Sequence, residues 1–385
     1  MNAKDAHHDG WRDAQRILCV RLDNLGDVLM TTPAMRALRD ARAGRAITLL
    51  ASGSGAAVAR LVPDVDEVIA YDAPWVKHAQ PAPVAADIAI RETLEARSFD
   101  AAVIFTVYSQ SALPAALLCR MAGIPLRLAY ARENPYSLLT HWVAETEPGA
   151  GIRHEVQRQL DLVAEAGAPC IDPRLRLVVP ERARRAIADR IRAARMPKHA
   201  RLIVLHPGAT AASRRYPAEL YGRVARALTE CGAAHVFVTG GSAERALTAT
   251  VCAATQVNAA TDLAGELDLA ELGALIARAD VLVSNNSGPV HIAAALGTPV
   301  VDLYALTNPQ HTPWHVPHRV LFHDVPCKYC YKSVCHQGHH DCLRRIEPGK
   351  VVEAVRALLA GSSGAGSARQ RCAQRPRRVP TPALG

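Results

Sequence analysis

The 385-residue chain contains no run of about 18 apolar residues, and its first segment, MNAKDAHHDGWRDAQR, has no apolar h-region. A membrane-spanning helix and a secretory signal are therefore not expected, and the protein is read as cytoplasmic. The glycine pattern of dinucleotide binding is also missing. ASGSGAAV, at 51–58, offers Gly53 and Gly55 but no third glycine, so it reads as a turn and disfavours a dehydrogenase. No acidic residue follows Gly361, where Arg369, Arg371, Arg375, Arg377 and Arg378 stand among Gly, Ser and Pro. These five arginines leave only +4 of the formal +9 on residues 1–360, so the net charge is no signal for nucleic acid. Segment 361–385 is expected to be a disordered basic tail, because it cannot bury enough apolar surface to order itself. A solvated terminus is its plain reading; weak attraction to anionic lipid or phosphate is its functional one.

What is present suits two globular units. The chain is 49% hydrophobic and 21% charged, long enough for two cores of about 150 to 200 residues each. Apolar β-type runs at 17–20, 46–50, 101–105, 202–205, 235–239, 281–283 and 299–304 alternate with Ala-, Leu- and Arg-rich helical stretches. Such alternation predicts parallel sheets with helical crossovers. We expect an α/β protein with two facing Rossmann-like domains and a cleft between them. The expected boundaries are a flexible 1–14, an amino-terminal domain at 15–168, a Pro-rich linker at 169–180, a carboxyl-terminal domain at 181–360, and the tail. No internal sequence repeat is visible.

Polar and turn-forming residues collect at strand-to-helix junctions. In VSNNSGPVHIAAAL, Asn286, Ser287, Gly288, Pro289, Val290 and His291 lie between a strand and a helix, whose first free N–H groups make an anion site. In RLDNLGDVLM, Arg21, Asn24 and Asp27 lie at the carboxyl end of the first strand, where open α/β sheets place ligands. Asp27 is either a helix cap or a carboxylate able to take a proton from a hydroxyl. LHPGATAASRRYPAELY sets Arg214 on a loop just before a helix, where a guanidinium is either solvated or meets a phosphate through two hydrogen bonds. In VFVTGGSAERAL, Gly240 and Gly241 make a turn or let backbone approach a ligand, and Glu244 can accept from a hydroxyl. Cys327, Cys330, Cys335 and Cys342 are spaced C-x2-C-x4-C-x6-C with histidines between them. Without a secretory signal this pattern reads as a structural zinc or iron site rather than as disulfides.

These segments together resemble the family 9 glycosyltransferases, the bacterial heptosyltransferases of lipopolysaccharide core synthesis. RLDNLGDVLMTTPAMRAL resembles the family's opening loop, HPGATAASRRYPAELY its phosphate-side loop, and VSNNSGPVHIAAALGTPVV its donor loop. The chain departs by carrying Arg214 for the usual Lys, Tyr216 for Trp and Asn286 for Asp, and by loosening Gly-Pro-Thr-Asp-Pro to Ala305–Pro309. The resemblance implies a GT-B fold, no cofactor for catalysis, and inverting transfer of heptose from ADP-heptose to the lipopolysaccharide core or lipid A. On that reading Asp27 is the catalytic base, with Arg214 stabilising the departing diphosphate. His206, Gly208, Arg214, Gly240, Gly241, Glu244, Asn286, Ser287, Gly288, Pro289, Val290 and His291 would bind the donor, and Arg21 and Asn24 the acceptor. The alternatives are a family member using another nucleotide sugar or a protein acceptor, and a non-catalytic nucleotide- or metal-binding module.

Overall fold

The computed structural model describes residues 10–76 and 83–363. Strands β1 (Arg16–Arg21), β2 (Ala46–Ala51), β3 (Glu67–Ala70), β4 (Ala101–Ile104), β5 (Leu126–Ala131) and β6 (His141–Ala144) form one sheet, ordered β3-β2-β1-β4-β5-β6. Every pairing in it is parallel. A second parallel sheet holds β7 (Arg201–His206), β8 (Ala234–Val238), β9 (Ala260–Asp262), β10 (Val281–Asn285), β11 (Val300–Leu303) and β12 (His318–Leu321), ordered β12-β11-β10-β7-β8-β9. Counted from its first strand, the second sheet repeats the order of the first. The fold is α/β with two Rossmann-like sheets. The duplication absent from the sequence is thus present in the topology, because order depends on burial pattern and crossover handedness rather than on residue identity. Central strands are apolar on both faces, which is why β1, β2, β4, β7, β8, β10 and β11 were legible. Edge strands β9 and β12 are only partly buried and carry no such run.

Each sheet reverses its strand order between its first and fourth strands, β1/β4 and β7/β10. A crevice opens there beyond the carboxyl ends. The helices that leave these points, α1 (Leu25–Asp40) after β1 and later Gly288–Leu296 after β10, meet at their first turns. A Cβ at Gly26 would stand 2.8 Å from His291 Cδ2, and one at Gly288 would stand 2.6 Å from Leu25 Cδ1. Glycine at both positions permits an approach that any side chain would prevent. One apolar cluster runs through this contact, joining Val28 and Leu29 to Val290, Ile292 and Ala293.

Further bonds cross between the halves. The helix α2 (Glu155–Ala164) starts with Glu155 N–H donating to Gln310 O at 3.0 Å, while His154 Nε2 donates to Thr312 O at 2.9 Å. The Trp314 indole N–H donates to Pro173 O at 2.8 Å, and its ring lies on His154 with centroids 4.4 Å apart. The hydroxyls of Tyr108 and Tyr331 are hydrogen-bonded across the cleft. Segment 171–180 has no regular structure but is tied down by buried Leu175, Leu177 and Val179, and by Arg36, which donates to Arg174 O at 2.6 Å.

Both expected ends differ from the sequence reading. Trp11 and Ala14 are buried, and Arg45 donates to Trp11 O at 2.6 Å, so residues 10–14 pack on the core and only 1–9 lie outside the described residues. The final helix, Pro348–Ser363, continues three residues into the expected tail; residues 364–385 lie outside the described residues.

Trp314→Ala should lower the melting temperature by roughly 4 to 8 °C, since losing about 2 kcal/mol of partly buried aromatic packing shifts a domain of this size by that much. Scanning calorimetry would check this, and a shift under about 1 °C would mean that the Trp314 contacts carry no weight.

Candidate functional site

Arg21 ends β1 with no solvent-exposed surface. Its guanidinium pairs with Glu155 at 2.8 Å, Asp23 at 3.0 Å and Asp27 at 3.3 Å. Burial opposes its charge, but Glu155, Asp23 and Asp27 together overcome that and hold its pKa above the usual arginine value. The same burial raises the Asp23 and Glu155 carboxyls despite Arg21, since three carboxylates share one guanidinium. Arg21 was expected to contact the acceptor, and the geometry gives it another place. Its donors face carboxylates, so it orients Asp27. Asn24 is exposed at the cap of α1, where its backbone N–H donates to Asp27 Oδ2 at 3.2 Å. Asp27 therefore caps the helix with one oxygen and accepts from Arg21 with the other, while its side chain keeps 14% exposure. The two readings of Asp27 are compatible.

Across the contact, the helix α3 (Gly288–Leu296) starts four residues earlier than the apolar run at Ile292 suggested, with Pro289 in its first turn. Ser287 stands at its cap in extended conformation, and the Gly288 N–H opens the helix. Asn285 joins this loop to the one after β7: its Nδ2 donates to Pro207 O at 2.8 Å, and its Oδ1 accepts from Tyr216 N–H at 3.0 Å. Asn286 is buried beside the Tyr304 hydroxyl, yet neither atom of its amide makes a well-formed hydrogen bond. Val290 is buried in the interdomain cluster. His291 is buried against Gly26, and burial, with His311, His154 and Arg214 nearby, lowers its pKa to about 3. It stays neutral.

Arg214 closes a short 3-10 turn, 212–214, and among the described residues no hydrogen bond or ion pair engages its guanidinium. Its charge nonetheless reaches the cleft, disfavouring protonation of His291 and His311 and partly offsetting the burial that raises Asp302. The turn itself is held from behind by the cysteine-bearing segment. Ser213 N–H donates to Ser333 O at 3.0 Å, Ser213 Oγ to Lys332 O at 2.7 Å, and His340 Nε2 to Ser213 O at 2.7 Å.

Among the described residues no group of three or more His, Cys, Asp or Glu side chains is arranged to hold a metal ion. Cys327, Cys330 and Cys335 nonetheless lie close enough to Cys342 for their charge to raise its pKa, so the fold brings the four thiols into one neighbourhood. Cys327 lies 3.9 Å from His339 Nε2, and Cys327 and Cys342 pack against the small apolar cluster of Tyr304, Leu306 and Val325. Burial raises the Cys342 pKa, favouring the neutral thiol.

The glycine turn after β8 forms its own patch. The Gly241 N–H donates to Glu244 Oε2 at 2.8 Å, and the Glu244 carboxylate lies where a Gly208 side chain would stand. Gly240 faces the same side chain, with a Cβ there 3.2 Å from Glu244. His206 Nδ1 is 2.9 Å from Thr239 Oγ1; burial lowers its pKa against the pull of Glu244. Three residues were missed in the sequence: Glu155, His311 and Asp302. His311 Nε2 lies 4.0 Å from Asp27 Oδ1, and Asp302 is a buried carboxylate without a hydrogen bond. The available signal for His311 was its place in TNPQHTPW, a turn soon after the strand β11. On the other side of Asp23, a cavity of about 270 Å³ is lined by Trp75, Phe105, Gln110 and Ser111.

Gly208→Ala should push the Glu244 carboxylate off Gly241 and destabilise the protein by about 1 to 3 kcal/mol, the usual cost of overpacking. Glu244→Ala in the same chain should recover most of that loss. Urea melts of the two single variants and the double variant measure the coupling, and strict additivity would mean that the two residues do not compete for space.

The sequence profile described as glycosyltransferase family 9 (heptosyltransferase) matches residues 88–340. Lipopolysaccharide heptosyltransferase 1 of Pseudomonas aeruginosa is 26% identical over 362 residues, which are 89% of this chain and 98% of that protein. Lipooligosaccharide heptosyltransferase 2 of Campylobacter jejuni is 26% identical over 166 residues, 42% of this chain, and the match spans about half (52%) of that relative's length. Among solved structures, a family 9 glycosyltransferase of Veillonella parvula superposes with a TM-score of 0.76 at 22% identity, covering 90% of this chain and 98% of that one. The ADP-heptose lipopolysaccharide heptosyltransferase II of E. coli gives 0.71 at 24% identity, covering 90% and 99%. The fold is therefore GT-B, and the chain belongs to glycosyltransferase family 9, the heptosyltransferase family.

Proposed function

We propose that the protein is an inverting transferase that moves heptose from ADP-heptose to a hydroxyl of the lipopolysaccharide core. The observation that carries the reading is the meeting of a held carboxylate and an unpaired guanidinium at one interdomain crevice. His311 stands 4.0 Å from Asp27 and also feels the charge of Arg214. Asp27 would accept the proton of the attacking hydroxyl, kept in place by Arg21 and the Asn24 N–H. Arg214 and the first turn of α3 would hold the diphosphate as it departs, each with charge-assisted bonds. The Gly208, Gly240 and Glu244 patch lies on the same carboxyl edge of the second sheet and suits the nucleoside. The amino-terminal half, 15–168, would carry the acceptor, with the cavity beside Asp23 taking its sugar next to the base. The carboxyl-terminal half, 181–360, would carry the donor. Among the described residues no helix is long and apolar enough to cross a membrane, so a lipid-linked acceptor would be met at the membrane surface.

Asp27→Asn should reduce turnover by about 10² to 10⁴ while leaving donor affinity within a few fold, because the amide keeps size but cannot take the proton. A variant running at more than about a tenth of the wild-type rate would leave Asp27 only its capping role. Arg214→Ala should weaken ADP binding roughly 10- to 100-fold, with Arg214→Lys recovering part of the loss. Calorimetry with ADP, UDP and GDP tests both points: unchanged ADP affinity in Arg214→Ala discards the site, and tighter UDP than ADP binding discards the ADP-linked donor.

A further inference from the structure

The segment that follows β11 carries a histidine whose ring is held on one side and free on the other. The Thr307 hydroxyl donates to Asn308 Oδ1 at 3.1 Å, which turns Asn308 Nδ2 toward His311 Nδ1 at 2.8 Å. An amide nitrogen is a donor, so His311 Nδ1 accepts and the ring proton sits on Nε2. The backbone is fixed as well, since the His311 N–H donates to the Tyr304 hydroxyl at 3.2 Å and that hydroxyl donates to Asn308 O at 2.7 Å. Nε2 is buried, has no hydrogen-bond partner, and lies 4.0 Å from Asp27 Oδ1, too far for a direct bond. Because Nδ1 is occupied, His311 has no lone pair to offer the cleft and cannot itself be the base.

We propose that His311 is a second substrate-contacting residue: its Nε2–H donates to the oxygen of the acceptor hydroxyl whose proton Asp27 accepts. This rests on the reading of Asp27 as the base. An oxygen about 2.8 Å from both atoms spans the 4.0 Å gap with an angle of roughly 90° at the oxygen, within reach of a hydroxyl that accepts one bond and donates the other. The clamp fixes which lone pair of the oxygen remains to attack the anomeric carbon. Upon attack the O–H bond breaks, the proton passes to Asp27, the new C–O bond forms, and the bond to the diphosphate leaves with its electron pair. His311 keeps its proton throughout. Its place on the segment that docks on α2 through Gln310 and Thr312 makes the clamp dependent on the two halves being in register.

The test uses the full chain with ADP-heptose and deacylated lipopolysaccharide inner core, read as ADP release. His311→Leu should lower kcat/KM for the core oligosaccharide by about 10- to 30-fold, with ADP affinity within about twofold of wild type. His311→Gln, whose amide N–H can reach the position of Nε2, should recover part of that loss, which a purely structural role would not allow. If Asp27→Asn is inactive while His311→Leu stays within about twofold of wild type, the clamp is wrong and the base reading stands. If Asp27→Asn remains active, the base reading itself falls. The tautomer is read independently of turnover, from long-range ¹H–¹⁵N spectra of ¹⁵N-histidine-labelled protein assigned with His311→Gln. An Nε2–H tautomer is expected, and an Nδ1–H tautomer at His311 overturns the proposal whatever the kinetics show.

Discussion

A guanidinium with no solvent around it is tolerable only if carboxylates replace the water it has lost, and Arg21 meets that condition through three of them. The cleft depends on this cluster. Glu155, which makes its shortest bond, begins a helix in the first half and gives its own backbone N–H to Gln310 in the second. The ion cluster therefore fixes the orientation of Asp27 and also ties it to the segment that carries His311. Removing one partner would leave uncompensated charge in a dry site, which typically costs about 3 to 5 kcal/mol. Function and folding are linked here through one side chain.

The two halves meet where each is least bulky. Gly26 and Gly288 let the first turns of α1 and α3 touch, so the positive ends of two helix dipoles face one crevice. These two ends and the Arg214 guanidinium bring positive charge to the crevice, and Asp27 with Asp23 sets a carboxylate pair beside it. The neutral histidines at 291 and 311 follow from that field: burial and nearby guanidinium groups both disfavour a further positive charge. They contribute shape and single hydrogen-bond donors rather than charge.

The cysteine-bearing segment brings its four thiols near one another and also braces the loop that carries Arg214. C-x2-C-x4-C-x6-C satisfies the arithmetic of a metal site, and ligand geometry depends further on where the backbone directs each thiol. Here two of the thiols turn into an apolar pocket around Tyr304, and the neighbouring backbone, through Lys332, Ser333 and His340, holds Ser213 and so the Arg214 turn. The segment also reaches the other half through Tyr331 and Tyr108. Its position behind a charged turn is a matter of packing.

The central strands, the two switch-point loops with Asp27 and the Ser287–His291 stretch, and the Arg214 turn were legible in the sequence. Their signals are local: apolar runs of β-branched residues, and glycine, proline and capping residues at the ends of those runs. The edge strands β3, β6, β9 and β12 were not legible, because a half-exposed strand has no continuous apolar run, and neither was the internal strand β5, whose apolar run Arg127 interrupts. The sequence by itself determined the fold class and the loops at which polar chemistry gathers. Only the tertiary structure decided that Arg21 faces carboxylates rather than substrate, that Trp11 anchors the amino-terminal end, and that His311 stands beside Asp27. Each of these depends on residues more than 30 positions apart coming within hydrogen-bonding or packing distance, Arg21 with Glu155, Trp11 with Arg45 and Asp27 with His311. No local pattern encodes such a meeting, since it is fixed by how two sheets and their helices pack.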